Sequence, residues 1–197
     1  MCQLDQVDSD TIYPVILPVP EKNRDLPVRE KVIRLKEYAR DALRISAKKS
    51  GIKSCYLKKD EKGVPLPFDG NYWSISHKPE YVCGVVALTK TGIDLEKIRP
   101  CSKALFRKTA NDREWSLLDD TDPYINFFRY WTSKEAVLKA VGTGIMDLLK
   151  CSVEQIIDDK TLIISYRDKR WLIEHFFFNG HIASVVKDAY RTDWTFM

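Results

Sequence analysis

Between residues 28 and 49, Val32, Leu35, Ala39, Ala42, Leu43 and Ser46 recur on one stripe at helical spacing. Arg29, Lys36, Arg40 and Arg44 line the shoulder of that stripe, and Gly51 is suited to end the helix. The stretch "EKGVPLPFDGNY" has the Gly, Pro and Asp content of a loop. Three short strands are predicted near residues 72–77, 81–88 and 91–97. Helical spacing follows over 102–120 and 124–141, interrupted by "DDTDP", and residues 152–187 read as strands again.

The pattern repeats. "WSISHKPEYVCGVVAL" begins at Trp73 and "WLIEHFFFNGHIASVVK" at Trp171; both run Trp-x-Ile-x-His, a turn, then a strand carrying Val-Val. In each half a helical stretch comes before these strands. The simplest reading is an α+β fold of two similar α/β lobes forming a pseudodimer, each with a helix on a small, mainly antiparallel sheet. The lobes divide as 1–100 and 101–197, with a ligand cleft between them. Chance likeness between two half-buried strands is the other reading.

The helix opening at "DPYINFFRYWTSKEAVLKAVGTGI" has Asp122 as a cap and Pro123 in its first turn. Phe127, Phe128, Trp131, Leu138 and Val141 form one apolar arc, with Lys134 and Glu135 inside it and Lys139 at its edge. Charges inside an apolar arc are expected to be paired or to bind something. Glu135 and Lys139 are four apart, so a simple salt bridge would explain Lys139 but not Lys134. In "TGIDLEKIRP", Asp94 and Glu96 lie two apart on a strand and point the same way, where like charges raise the cost of ionisation. Joined by Glu135, they would make an all-oxygen Mg²⁺ site, with the lysines and His77 available to phosphate oxygens.

Composition changes this picture little: 44% hydrophobic and 30% charged is ordinary for a globular chain of 197 residues. No apolar run approaches the ~18 residues of a membrane span. The N-terminus "MCQLDQVDSD" is unlike a signal peptide. Five scattered cysteines (Cys2, Cys55, Cys83, Cys101, Cys151) without a CxxC argue for reduced thiols and a cytoplasmic location. The net charge of +4 conceals an uneven distribution: residues 21–62 hold 14 Lys or Arg against 7 Asp or Glu. That segment is either a solvated helix face or a surface for an anionic partner. No Gly-rich nucleotide loop is present.

At these residues the chain resembles the 4'-phosphopantetheinyl transferase family, of the monomeric, two-lobed type. "GIDLE" (92–96) fits that family's Gly-Ile/Val-Asp-x-Glu, "WTSKEAVLK" (131–139) fits its Trp-Ser/Thr-x-Lys-Glu-Ala-x-x-Lys, and "SISH" (74–77) fits a third segment. The resemblance, carried by residues 62 to about 150, implies transfer of phosphopantetheine from coenzyme A to a serine of an acyl or peptidyl carrier protein, releasing adenosine 3',5'-bisphosphate. It implies Mg²⁺ on Asp94, Glu96 and Glu135. Glu135 would also be the base toward the carrier serine, and Lys139 would stabilise charge on the pyrophosphate. Lys134 would bind phosphate, and Ser76 and His77 the nucleotide end.

The chain departs from the family in two places. Where a Gly-Lys-Pro is usual before "SISH", it has "KGVP", leaving Lys62 nearby and Val64 in the lysine's position. Residue 78 is Lys where Ser or Gly is common. By charge and placement, Arg29, Lys31 and Arg40 are candidates to hold the 3'-phosphate. No nucleic acid or membrane is expected as a partner. A non-catalytic nucleic-acid-binding module would explain the basic segment but not the charges within the apolar arc. Another Mg²⁺-dependent phosphotransferase or phosphohydrolase would use the same carboxylates.

Overall fold

A computed structural model describes residues 10–23, 25–52, 56–118 and 122–197. The acidic N-terminal stretch with Cys2, Cys55, and most of the "DDTDP" break lie outside the described residues.

The first half contains β1 (Thr11–Ile12), β2 (Val15–Pro18), α1 (Val28–Lys49), β3 (Tyr72–His77), β4 (Tyr81–Ala87) and β5 (Ile93–Lys97). The second contains α2 (Lys103–Thr109), α3 (Asp112–Trp115), α4 (Pro123–Val141), β6 (Ser152–Ile156), β7 (Thr161–Tyr166), β8 (Lys169–Phe178), β9 (His181–Val186), β10 (Arg191–Thr192) and β11 (Thr195–Phe196). The fold is mixed α+β, as the sequence predicts. The expected strands at 72–77, 81–88 and 91–97 form within two residues of their predicted ends.

Two sheets carry the structure. One has the order β11-β2-β4-β3 and the other β5-β9-β8-β7-β6. The two Trp-x-Ile-x-His segments are the first arms of the hairpins β3-β4 and β8-β9. The order strand, long helix, hairpin therefore occurs twice, and the lone strand pairs with the second hairpin arm both times: β2 with β4, and β5 with β9. A cut at residue 100 does not separate the sheets. β5 belongs to the second sheet, and the C-terminal β11 returns to pair with β2 in the first.

Helix α1 buries Leu35, Ala39, Ala42, Leu43, Ser46 and Ala47. Val32, expected on that stripe, is exposed, because the first turns of α1 reach past the sheet's apolar face. Behind α1, Gly84 of β4 lets the helix press onto the strand: a β-carbon there would stand 2.8 Å from the Leu43 backbone nitrogen. Ser50 follows the last turn, and Gly51 takes the left-handed conformation with φ +71°. The other face of the first sheet (Ile16, Cys83, Val85) meets Ile93, Leu95, Ala183 and Val185 of the second in one shared core. The two sheets are thus packed face to face, with α1 outside one and α4 outside the other.

Helix α4 is capped by the Asp122 side chain, which accepts from Tyr124 N, and ends at Gly142 with φ +80°. It is buried on nearly all sides, so its apolar pattern is wider than a single arc. The region predicted as one helix at 102–120 is instead two short ones. Asn111 breaks it by capping α3 in a reciprocal box with Glu114. The sequence reading also missed β1, β2, β10 and β11. Pro14 and Pro18 mask the strand character of "TIYPVILP", and the two-residue strands are too short to carry a period.

Candidate active site

Strand β5 alternates Ile93 and Leu95 into the shared core with Asp94 and Glu96 toward α4. This strand is tied to β3 by its serines: Ser74 Oγ accepts from Ile93 N at 3.1 Å, and Ser76 Oγ donates to Asp94 Oδ1 at 2.9 Å. From α4, Lys139 Nζ donates to Asp94 Oδ1 at 2.7 Å and to the Ile93 carbonyl at 3.0 Å. Lys139 therefore turns to Asp94 rather than serving only as the i,i+4 partner of Glu135. The motifs "SISH", "GIDLE" and "WTSKEAVLK" meet at this point.

A cleft of about 380 Å³ opens there, lined by three carboxylates (Asp94, Glu96, Glu135), four lysines (Lys36, Lys59, Lys78, Lys139), Ser76, His77 and Trp131. A neighbouring hollow of about 340 Å³ shares Lys59, Glu135 and Lys139 and adds Lys62, Val64 and the Gly142–Gly144 turn. Burial, then repulsion from Asp94 and Glu96, raises the Glu135 pKa to about 7 against the opposing pull of Lys139. Burial and Asp94 likewise raise the Glu96 carboxyl, opposed by hydrogen bonds from Lys78 and Trp131. His77 is held below its usual value by burial and by the surrounding lysines, so its ring is neutral at pH 7. Burial and the nearby Lys36, Lys139 and Arg40 charges lower Lys59.

The carboxylates line one cleft, but they are not gathered as a finished ligand set. Among the described residues no three His, Cys, Asp or Glu side chains stand close enough together to hold a metal ion. The reason is visible in their partners: Asp94 Oδ1 is held by Lys139 and Ser76, and Glu96 Oε1 by Lys78 at 2.6 Å. Asp94 Oδ2, by contrast, is buried without a hydrogen-bond partner among the described residues. An orphaned carboxylate oxygen on a residue that shares its cleft with two further carboxylates is the hard donor chemistry that suits Mg²⁺, so the residue types present fit that ion.

Lys134 requires a correction. The sequence reading gave it to phosphate, but the structure buries it completely, away from the cleft. Its Nζ donates to Glu114 Oε1 at 2.6 Å and to the Thr109 carbonyl at 2.7 Å. One residue along a helix turns the side chain by about 100°, so Lys134 and Glu135 leave α4 on different faces. Glu114 also accepts from Val153 N at 2.8 Å, so the pair ties α3 and β6 to α4.

The other expected residues separate by position. Lys62 lines the second hollow, while Arg29 and Arg40 are exposed on α1 and line neither space. The sequence reading did not select Lys59. Lys59 reaches the cleft because the strap 58–66 folds back on itself: Asp60 accepts from Lys62 N and Val64 N, and Lys59 bridges to Pro65. Its ammonium lies 5.8 Å from the centre of the Trp73 ring. The loop "EKGVPLPFDGNY" was visible, but the inward-aimed lysine just before it was not. Lys36 was visible as one of the shoulder cations of α1.

Carboxylates and ammonium groups lining one cleft are side-chain chemistry that suits a divalent cation and phosphate oxygens. The sequence profile of the 4'-phosphopantetheinyl transferase superfamily matches residues 90–190, and the chain belongs to that superfamily. It is similar to the 4'-phosphopantetheinyl transferase HetI of Nostoc sp., at 38% identity over 100 residues, covering 45% of this chain and 42% of HetI. It is also similar to the 4'-phosphopantetheinyl transferase gsp of Aneurinibacillus migulanus, at 29% over 92 residues, covering 45% of this chain and 39% of gsp. The similarity thus spans less than half the length of these relatives. Among the described residues no helix is long and apolar enough to cross a membrane.

Proposed function

We propose that the chain transfers 4'-phosphopantetheine from coenzyme A to a serine of an acyl or peptidyl carrier protein, releasing adenosine 3',5'-bisphosphate. The observation that carries this reading is the meeting of Asp94 and Glu96 with Glu135 and Lys139 in one lysine-walled cleft. In this reading the duplicated strand-helix-hairpin order is a pseudodimer, with α1 and the first sheet as one lobe, α4 and the second sheet as the other, and the cleft between them. The protein acts as a cytoplasmic monomer.

The reaction forms a bond from the serine Oγ to the phosphorus that bears the pantetheine. The bond from that phosphorus to the bridging oxygen breaks, and its electron pair leaves with the adenosine bisphosphate. Glu135, whose carboxyl pKa is raised to about 7 in the metal-free chain by burial and the neighbouring carboxylates, is the base for the hydroxyl proton. Lys139 lies where an ammonium can meet charge on the departing pyrophosphate oxygen. Lys36, Lys59 and Lys62 provide cations for the nucleotide phosphates, and neutral His77 provides a ring N–H. Ser76 holds the Asp94 carboxylate in place through Oδ1. Asp94, Glu96 and Glu135 would hold Mg²⁺, which when bound supplies Lewis-acid withdrawal of charge from the pyrophosphate.

Incubating the chain with coenzyme A, Mg²⁺ and an apo carrier protein tests this directly. Mass spectrometry should show the carrier gaining one phosphopantetheine. Glu135→Gln should lower the rate by about 100-fold or more while leaving the fold intact. A wild-type chain that hydrolyses coenzyme A or leaves the carrier mass unchanged would sink the reading.

A further inference from the structure

The ammonium of Lys78 stands 2.6 Å from Glu96 Oε1, just as that of Lys139 stands 2.7 Å from Asp94 Oδ1. Both cleft-facing carboxylates of β5 are therefore held by lysines, one from the turn after β3 and one from α4. The two lysines are anchored differently. Lys139 also donates to the Ile93 carbonyl, so its head has a second fixed partner on the same strand. Among the described residues the Lys78 ammonium hydrogen-bonds to Glu96 alone, and its side chain is 32% exposed against 13% for Glu96, so solvent reaches the lysine side of the pair.

An ammonium has donors only, and a divalent cation seeks the same carboxylate oxygens. Two positive charges on one carboxylate repel, so each weakens the other's hold on Glu96. The freed ammonium, four flexible carbons from its backbone, remains in a cleft built from cations and carboxylates and can reach phosphate oxygens there. We propose that Lys78 is a displaceable counter-ion for Glu96, so that a divalent cation and a pyrophosphate-type anion enter this cleft together rather than singly. The cation takes the carboxylate, and the ammonium moves to the anion. This rests on the transferase reading, because it takes the phosphate-bearing ligand from there. By linkage, each ligand then tightens the other by the same factor.

The role can be measured without the reaction. The full chain is titrated with Mn²⁺, followed by paramagnetic resonance of the free ion, alone and with inorganic pyrophosphate. Wild type should bind Mn²⁺ weakly alone and at least about tenfold more tightly with pyrophosphate present. Lys78→Ala and Lys78→Gln should bind Mn²⁺ alone about five- to tenfold more tightly than wild type, the size of one lost charge contact in a half-exposed site. In both variants the gain from pyrophosphate should shrink. Melting curves confirm that each variant is folded, and the glutamine variant keeps the side chain's bulk if alanine disturbs the turn. Unchanged or weaker Mn²⁺ binding in folded variants, beside a wild type that binds, overturns the counter-ion role and leaves the transferase reading standing. A wild type that binds no Mn²⁺ with or without pyrophosphate overturns the counter-ion role and the metal site together.

Discussion

Gly92 lies against the carbonyl of Ala136 so closely that a β-carbon on it would stand 1.9 Å from the oxygen. The contact joins the residue that opens "GIDLE" to the middle of "WTSKEAVLK". It explains physically why "GIDLE" begins with glycine: only a residue without a side chain lets β5 reach α4 at a distance where Lys139 meets Asp94. The first prediction follows. Gly92→Ala must displace helix backbone, not a flexible side chain, and should cost about 3 kcal/mol or more. Urea midpoints should fall accordingly. A midpoint within the scatter of surface substitutions would mean that the helix yields freely. Gly142→Ala differs in kind: the atoms nearest its β-carbon all belong to the Val64 side chain, and its left-handed φ of +80° adds a backbone cost.

The buried pair Lys134–Glu114 makes the second prediction. Burial drives the Lys134 ammonium below its ordinary pKa while Glu114 opposes the shift. Removing one partner leaves the other charged and unpaired, so Lys134→Met should cost about 3–5 kcal/mol, whereas Lys134→Met with Glu114→Gln should cost less. Coenzyme A affinity per folded molecule should be unchanged in both. Loss of affinity in a folded Lys134→Met protein would return this lysine to the cleft.

Stability should also depend on pH through the buried histidine of β8. His175 Nδ1 hydrogen-bonds Ser184 Oγ at 2.8 Å, Ser184 contacts Thr132 at 2.5 Å, and Nε2 has no partner. Burial, with a smaller push from Arg129, holds its pKa well below the usual 6.5. The folded protein therefore keeps the ring neutral, while the unfolded chain protonates it. Stability is complete above about pH 6.5 and declines as pH falls below it, by at most about 1.4 kcal/mol per unit for each such group. His77, also lowered, adds to the loss with the same sign. Unfolding free energies at pH 7.5 and 5.5 should show a smaller difference in His175→Gln than in wild type. Equal differences would show that the histidine does not carry this dependence.

The strap lysine gives the fourth prediction. Lys59 lines both hollows of the cleft, whereas Arg29 lines neither. In the transfer assay Lys59→Ala should raise the KM for coenzyme A by about tenfold, the value of one charge-assisted contact to phosphate. Arg29→Ala should leave it within about twofold, the scatter of surface sites. The reverse order would place the nucleotide along α1 instead.

Much of what depends on neighbours along the chain was legible in the sequence, the Asn111–Glu114 capping box being an exception. The period of Leu35, Ala39, Ala42, Leu43 and Ser46 located α1 and its buried face. The repeated Trp-x-Ile-x-His segments marked the two hairpins, and alternation along "GIDLE" placed Asp94 and Glu96 on one side of a strand. The tertiary structure decided how distant parts of the chain are paired. It sent β5 into the second sheet and β11 into the first, turned Lys134 from the cleft to Glu114, folded Lys59 into the cleft with its strap, and set Lys78 on Glu96. A helix or strand period is fixed by backbone geometry within a few residues. The partner of a charged side chain is fixed by packing between segments tens of residues apart. A buried charge states only that it needs a partner, and the fold supplies which one.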